Sequence, residues 1–432
     1  MPIYDERFPY TSELELPVIG LEAEFKIFID DVGEVPEKVW RTPSGFIEQP
    51  LLKRTNKSMQ LPTGGALYFD GGVVEVVTPV IEIAPQCTAR VVRSLWEQIG
   101  FVRQQLDLWE TRTGKRVRLQ AFSCHHNISF ELSRQERSSG RTIQKLALLL
   151  AHLLPVPLIV SSANRKSTGI GVRPRRDRIE VTLDFTPDPG LMSAAAALCV
   201  GIVRDVIGWP SYRLEELSSV ALIAGASPGK HVVRKGWLMK DFHFPRNPFT
   251  TGLDEAVWKT TNGETMSLRR IAHAIAMRFR DSIRRYADPF SYRLLFSVLR
   301  GETPALLDLP DRPAAYDDIG RSIRWGATLP EMDNFASLMT GDATLTQSVP
   351  RRRQVDLEER LAPPWAGDPL RRSAYEKVFL KLGRRQRLKI GDEILTPVKV
   401  KGWYHSIFRT PSGEERMLSI DQLLKYMGSW LA

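Results

Sequence analysis

Gly20-Leu21-Glu22-Ala23-Glu24-Phe25-Lys26-Ile27 alternates apolar and polar residues almost throughout. Successive side chains on a strand point to opposite faces, so Leu21, Ala23 and Phe25 share one face and Glu22 and Glu24 the other. Three more stretches read the same way. They are Asp70-Gly71-Gly72-Val73-Val74-Glu75-Val76-Val77-Thr78-Pro79, Phe122-Ser123-Cys124-His125-His126-Asn127-Ile128-Ser129-Phe130 and Arg178-Ile179-Glu180-Val181-Thr182-Leu183-Asp184-Phe185. His125 and Asn127 fall opposite Phe122, Cys124, Ile128 and Phe130, which leaves His126 as a structural histidine on the apolar face. Arg178, Glu180, Thr182 and Asp184 fall opposite Ile179, Val181, Leu183 and Phe185. In one sheet, these strands would collect Glu22, Glu24, Glu75, His125 and Glu180 on a polar side suited to a hard cation. The fold expected is α+β: a curved, mainly antiparallel β-sheet with the site on its polar face and helices packed behind.

Plainer readings stand beside this one. Alone, an alternating carboxylate strand is more often a solvated outer face. Glu75 is harder to set aside, because a carboxylate inside Val73 to Val77 must be paired, coordinated or placed on an edge. The run Arg173, Arg175, Arg176 and Arg178 reads, more often than not, as solvated charge. Arg165-Lys166 fits a phosphate contact or a flexible loop, and Asp241-x-His243 fits a turn before Pro245 better than a metal-ligand pair.

Composition narrows the class. With 432 residues, 43% hydrophobic and 25% charged, the chain is an ordinary globular one, long enough for a large core and more than one domain. Its longest apolar run, Leu146 to Val160, is broken by His152 and two prolines, so no membrane span is expected. Neither a basic start nor an apolar run marks MPIYDERFPY as a secretory signal. Cys87, Cys124 and Cys199 are widely spaced among apolar neighbours, as in the reduced core of a cytoplasmic protein. Lys and Arg total 60 against 50 acids, for a net charge of +10. Its basic clusters (Arg173 to Arg178, Arg351 to Arg353, Arg371-Arg372, Lys381 to Lys389) suit an anionic substrate or nucleotide phosphates. Nucleic acid is set behind these, because no aromatic-interleaved or helix-turn-helix pattern accompanies the charge.

Three regions follow in order. Residues 1–335 read as a catalytic domain: strands and turns to about Val80, a helix from Cys87 to about Thr111, the His125 strand and a helix from Thr142 to Leu154. After the Glu180 strand come a small-residue helix from about Met192 to Val206 and a mainly helical stretch from Gly208 to about Leu329, clearest at Leu268 to Tyr286. Residues 336–385 read as a linker with a helical segment. Residues 386–432 alternate again and form a small, basic, β-rich module ending in a helix at Ile420 to Leu431.

Carboxylate oxygens are hard ligands, which magnesium takes together with water and substrate phosphates. Arginine forks match phosphate oxygens. Cations and arginines around a γ-phosphate describe phosphoryl transfer, where positioning and charge neutralisation dominate. No Walker loop or kinase catalytic-loop motif is present, and Gly169-Ile170-Gly171 lacks the rest of a dinucleotide fingerprint. A nucleotide site must therefore be built on a sheet face.

At this point the motifs carry a resemblance. Gly20-x-Glu22-x-Glu24-Phe25 is similar to the opening strand of glutamate–cysteine ligases and their glutamine-synthetase-like relatives, the carboxylate–amine ligases of the amidoligase superfamily. Asp70 to Pro79 resembles that family's next strand, His125-x-Asn127 its His-x-Asn strand, and Arg178-Ile179-Glu180-Val181 its late metal-binding strand; the match spans roughly residues 18 to 190. The resemblance implies an ATP-dependent ligase that forms an amide through an acyl phosphate. It implies magnesium or manganese on Glu22, Glu24, Glu75, His125 and Glu180, and nucleotide on His125, Asn127, Arg173, Arg175 and Arg176. Asp70 and Arg178 become the catalytic candidates. Asp70 would be a further ligand or accept the amine's proton, once a bulge at Gly71-Gly72 corrects its parity. Thr182 stands where the family usually has arginine, whose charge one of Arg173, Arg175, Arg176 or Arg178 would replace. The implied partners are a carboxylate, glutamate-like by default, and an amine. A protein acceptor stays open, because the Pup ligases share this ancestry. The alternatives are a phosphotransferase on the same sheet and a non-catalytic nucleotide- or protein-binding relative.

Overall fold

The Glu22 strand, Val18–Ile29, is the hub of the sheet. In the computed structural model, which describes residues 14–55, 58–163, 167, 169–186, 188–229, 243–309 and 372–431, it pairs antiparallel with two neighbours. These are the Glu75 strand, Val73–Val77, and the His125 strand, Val117–Ser129. The Glu180 strand, Arg178–Asp184, follows the His125 strand, and Gly171–Pro174 closes that edge. In the other direction the sheet continues through Ala66–Asp70, Met59–Gln60 and Leu52–Arg54, still antiparallel. Glu393–Lys401 then pairs parallel with Leu52–Arg54 and carries His405–Arg409 and Glu415–Ser419 beyond it. Fifteen described strands form this sheet, and the architecture is α+β.

Alternation decides which face is covered. Leu21, Ala23, Phe25 and Ile27 are at most 1% exposed; fully burying a Leu or Phe contributes roughly 1.5–3 kcal/mol. The covering layer is helical: Cys87–Thr113, Ile143–Leu153, Pro155–Ser162 and Pro189–Ile207 pack on this side. Val91, Leu95, Ile99, Val102 and Leu106 make one buried stripe along the first of these. That helix stops at Gly114, whose φ of 71° suits glycine and whose N–H reaches Glu110. Asp188 caps the last by accepting from the N–H groups of Gly190 and Leu191. His126 lies on the covered face, fully buried, its ring nitrogens unpartnered among the described residues.

A second apolar cluster holds the C-terminal strands. Helices Ala374–Gly383 and Ile420–Lys425 bring Tyr375, Phe379 and Leu423 against Leu395, Val400 and Phe408, and Val18, Leu52 and Val80 join them from the main sheet.

Several local expectations change. Gly71 and Gly72, at φ 60° and 91°, make a two-residue hairpin turn and no bulge. Tyr68 therefore stands opposite Glu75 and Asp70 opposite Val73. The bulge lies elsewhere: Glu24 faces Ser123 and Phe25 faces Ala121, so Phe122 is the extra residue. Phe122 leaves the apolar face, and Lys26 Nζ lies 5.5 Å from its ring centroid. Leu268–Tyr286 is two helices, broken at Phe279. Between Gly208 and Ser267, rich in Gly, Pro, Ser and Asn, the described residues hold a 3-10 turn and two short strands where helix was expected. The final helix ends at Lys425, and Trp430–Leu431 pairs with Arg387–Leu388, which buries Trp430. Arg165-Lys166, Asp241, Arg351 to Arg353, Arg371 and the expected linker up to residue 371 lie outside the described residues.

Candidate functional site

Strand register lays the polar side chains out in rows, neighbours roughly 4.8 Å apart. One row runs Tyr68, Glu75, Glu24, Ser123. The next carries Glu22, His125 and Thr182. A third carries Asn127, Glu180 and Arg173. Glu22, Glu24, Glu75, His125 and Glu180 thus meet on one face. Asp70 joins the same face through the hairpin register but lies at its exposed end.

His125 is the bridge. Its Nδ1 lies 3.3 Å from Glu22 Oε2 and its Nε2 3.8 Å from Glu24 Oε1. Burial pulls the imidazole's pKa down, but Glu22 and Glu24, with Glu180 behind them, raise it to about 9. The ring therefore carries a proton at neutral pH when no cation is bound. Glu22 answers it. Burial raises its carboxyl pKa, and His125 and Arg178 outweigh that and hold it below the ordinary value. Glu24 accepts from the Ser123 hydroxyl.

Glu75 is balanced differently. Burial, then the charges of Glu22 and Glu24, push its carboxyl up to about 8, against the hydrogen bond from Tyr68 and the charge on His125. Glu180, 1% exposed, is met by two guanidinium groups. Arg173 Nη1 lies 2.9 Å from Oε1, and Arg175 places Nε and Nη2 each 2.7 Å from Oε2. Arg178 turns away along its strand, its Nε donating to Asn127 at 2.8 Å and its Nη1 to Asp177 at 3.0 Å. Arg176 is exposed. Thr182 sits across from His125, its hydroxyl oxygen buried and unpartnered among the described residues.

A small cleft of about 80 Å³, open to solvent, adjoins this face and is walled by Gly20, Glu22, Val80, Arg178, Trp403 and Tyr404 among others. Arg54 lies 4.0 Å over the Trp403 ring, and the Tyr404 hydroxyl donates to Asp177. The sequence reading missed Tyr68, Asp177, Trp403 and Tyr404 as members of the site. Tyr68 had a signal, being two residues before Asp70 and so on its face. Trp403 and Tyr404 had none, because Tyr404 and Asp177 are 227 positions apart.

The donor set fits a hard divalent cation. Ligand atoms of Glu22, His125 and Glu180 lie within 4.8 Å of one another. Glu75, raised by burial and then by the charges of Glu22 and Glu24, stands beside two carboxylates whose negative charge a cation would relieve. Oxygen donors with one imidazole suit magnesium or manganese.

No protein-family model matches the chain, and no curated protein matches it. Among the solved structures distantly similar to the chain are two of one ligase. One is the complex between the prokaryotic ubiquitin-like protein Pup and its ligase PafA, at 12% identity and a TM-score of 0.41, covering 96% of this chain and 93% of that one. The other is PafA in complex with ADP, at 12% identity and a TM-score of 0.36, covering 87% and 91%. Likeness this distant assigns neither a residue nor a reaction.

Proposed function

We propose that the protein is an ATP-dependent carboxylate–amine ligase that makes an amide through an acyl phosphate. The observation that carries this reading is the acidic cluster itself: Glu75, Glu24, Glu22, His125 and Glu180 on one sheet face, beside arginines and a solvent-open cleft. Glu22, Glu24, Glu75, His125 and Glu180 would hold magnesium or manganese, which when bound neutralises polyphosphate charge and polarises phosphoryl oxygens.

The chain's own residues supply the rest. Trp403 offers an apolar wall for a base, and Arg178, already at the cleft, orients phosphate oxygens with Asn127 behind it. A substrate carboxylate attacks the γ-phosphorus, ADP leaves, and the acyl phosphate forms. The amine nitrogen then attacks the acyl carbon, the C–O bond to phosphate breaks, and Asp70 accepts the proton that the nitrogen sheds. Asp70 suits this step because it is exposed at the rim yet shares the face of Glu75. The acid is a glutamate-like carboxylate; the amine is that of a small molecule or of a protein side chain.

ADP release measured across pairs of acids and amines tests the reading. Release that needs both partners, with an amide in the mass spectrum, is the expected result. Release with the acid alone and a stable phosphorylated product would make the protein a phosphotransferase. Failure to bind magnesium–ATP would remove both.

A further inference from the structure

Glu180 combines two properties that conflict. It belongs to the group whose ligand atoms converge within 4.8 Å, yet arginines already lie against both its oxygens: Arg175 hydrogen-bonds Oε2, and Arg173 Nη1 lies 2.9 Å from Oε1 as an ion pair that makes no hydrogen bond. A carboxylate 1% exposed cannot stay unpaired, so a cation can take it only as the guanidinium groups let go. Both arginines can move. Their side chains are 24% and 40% exposed, and they sit on and just after the short edge strand Gly171–Pro174.

Release has an electrostatic consequence. Two guanidinium groups that lose Glu180 to a divalent cation would be left beside that cation with no counter-charge. A polyphosphate supplies what they lack, and guanidinium forks match its oxygens. The hairpin tip meanwhile stays anchored, because Asp177 accepts from Arg178 and from Tyr404 of the C-terminal strands. The backbone can therefore hold while the two side chains exchange partners.

We propose that Arg173 and Arg175 form a latch: in the unloaded site they stand in for the cation on Glu180, and they give it up to a divalent ion when a polyphosphate arrives to receive them. Cation and nucleotide binding are thereby coupled, each strengthening the other by the same factor. This rests on the ligase reading for the identity of the ligands, but the coupling is measurable without turnover.

The test titrates Mn2+ by electron paramagnetic resonance, with and without the β,γ-imido analogue of ATP, in wild type and in the double variant Arg173→Gln/Arg175→Gln. In wild type the analogue should tighten Mn2+ about tenfold or more. In the double variant Mn2+ alone should bind several-fold tighter than to wild type, and the analogue should add less than about threefold. A double variant that binds Mn2+ alone no tighter than wild type overturns the latch.

A second arm covers a misfolded double variant. Glu180→Gln frees both arginines without touching them, so it should bind inorganic tripolyphosphate in EDTA several-fold tighter than wild type. Equal affinity overturns the latch. If wild type binds neither Mn2+ nor the analogue, the ligase reading fails and takes the latch with it. If wild type binds both and both arms stay flat, only the latch fails.

Discussion

On the His125 side of the polar face each carboxylate meets a cation: Glu22 and Glu24 meet the imidazolium, and Glu180 meets Arg173 and Arg175. On the hairpin side Glu75 is buried with two carboxylates for neighbours, and these outweigh its hydrogen bond from Tyr68, so in the absence of a cation it keeps a proton up to about pH 8. The two halves lie one strand apart and share the same parity, yet one is balanced by fixed charge and the other by protonation. The balanced half is bound into the stability of the sheet. The protonated half is held by its fold against electrostatic preference, which is the usual signature of a group kept for a ligand.

The largest expected effects separate these halves. Glu75→Gln and Glu180→Gln should each lower ATP turnover by about 10²–10³-fold, the scale seen when a preorganised group that meets transition-state charge is removed. Their stabilities should part. Glu75→Gln replaces a carboxyl that is neutral at pH 7 and should leave the melting temperature in place or raise it. Glu180→Gln strips two guanidinium groups of their counter-ion and should cost about 1–3 kcal/mol. That is below the range for fully buried pairs, because Arg175 is 40% exposed. Equal destabilisation of the two variants, read by thermal melts without divalent ions, would break the contrast.

The next effect sharpens it through pH. Glu75 has a folded-state pKa of about 8, above the ordinary carboxylate value of 4.5. Between these values the folded protein binds more protons than the unfolded chain, so this group's contribution is full below about pH 4.5 and is lost as pH rises to about 8. Glu75→Gln carries no such dependence. The melting temperature of wild type minus that of Glu75→Gln should therefore fall from pH 5 to 8 and level off above. Excess magnesium should flatten the fall, because the carboxylate form is then bound. A difference independent of pH would mean that Glu75 is ionised throughout.

These contrasts also show what the sequence could carry. Parity along Leu21 to Phe25 assigned faces that burial upholds, and along Ile179 to Leu183 faces that the strand register upholds, because alternation is a local property of the backbone. Parity misplaced Phe122, since a bulge is set by what the partner strand must avoid, and nothing around Phe122 announces it. Gly71-Gly72 was legible as a break in the strand but not as a turn in place of a bulge. The pairing of Arg173 and Arg175 with Glu180 was invisible for another reason. The arginines read as a charge run, and only the register Glu180–Arg173 puts them across from a carboxylate. Side-chain identity was thus readable within strands, while charge balance, which depends on neighbours across strands, was not.

The smallest expected effect tests whether the two halves are tied to the C-terminal strands. Tyr404 reaches Asp177, Asp177 holds Arg178, and Arg178 lies along Asn127 beside Glu22. Tyr404→Phe deletes one hydroxyl and keeps the ring that walls the cleft. A hydrogen bond to a charged group contributes about 1.5–3 kcal/mol at most, less where water competes as it does at this half-exposed tip. The expected outcome is a two- to fivefold loss of nucleotide affinity on the arginine side. Manganese affinity measured without nucleotide should stay within twofold of wild type, because the variant removes no ligand and no charge and leaves Arg178 its bonds to Asp177 and Asn127. Equal loss of both affinities would mean that the tip braces the whole face, and the division into two differently balanced halves would give way to a single cooperative unit.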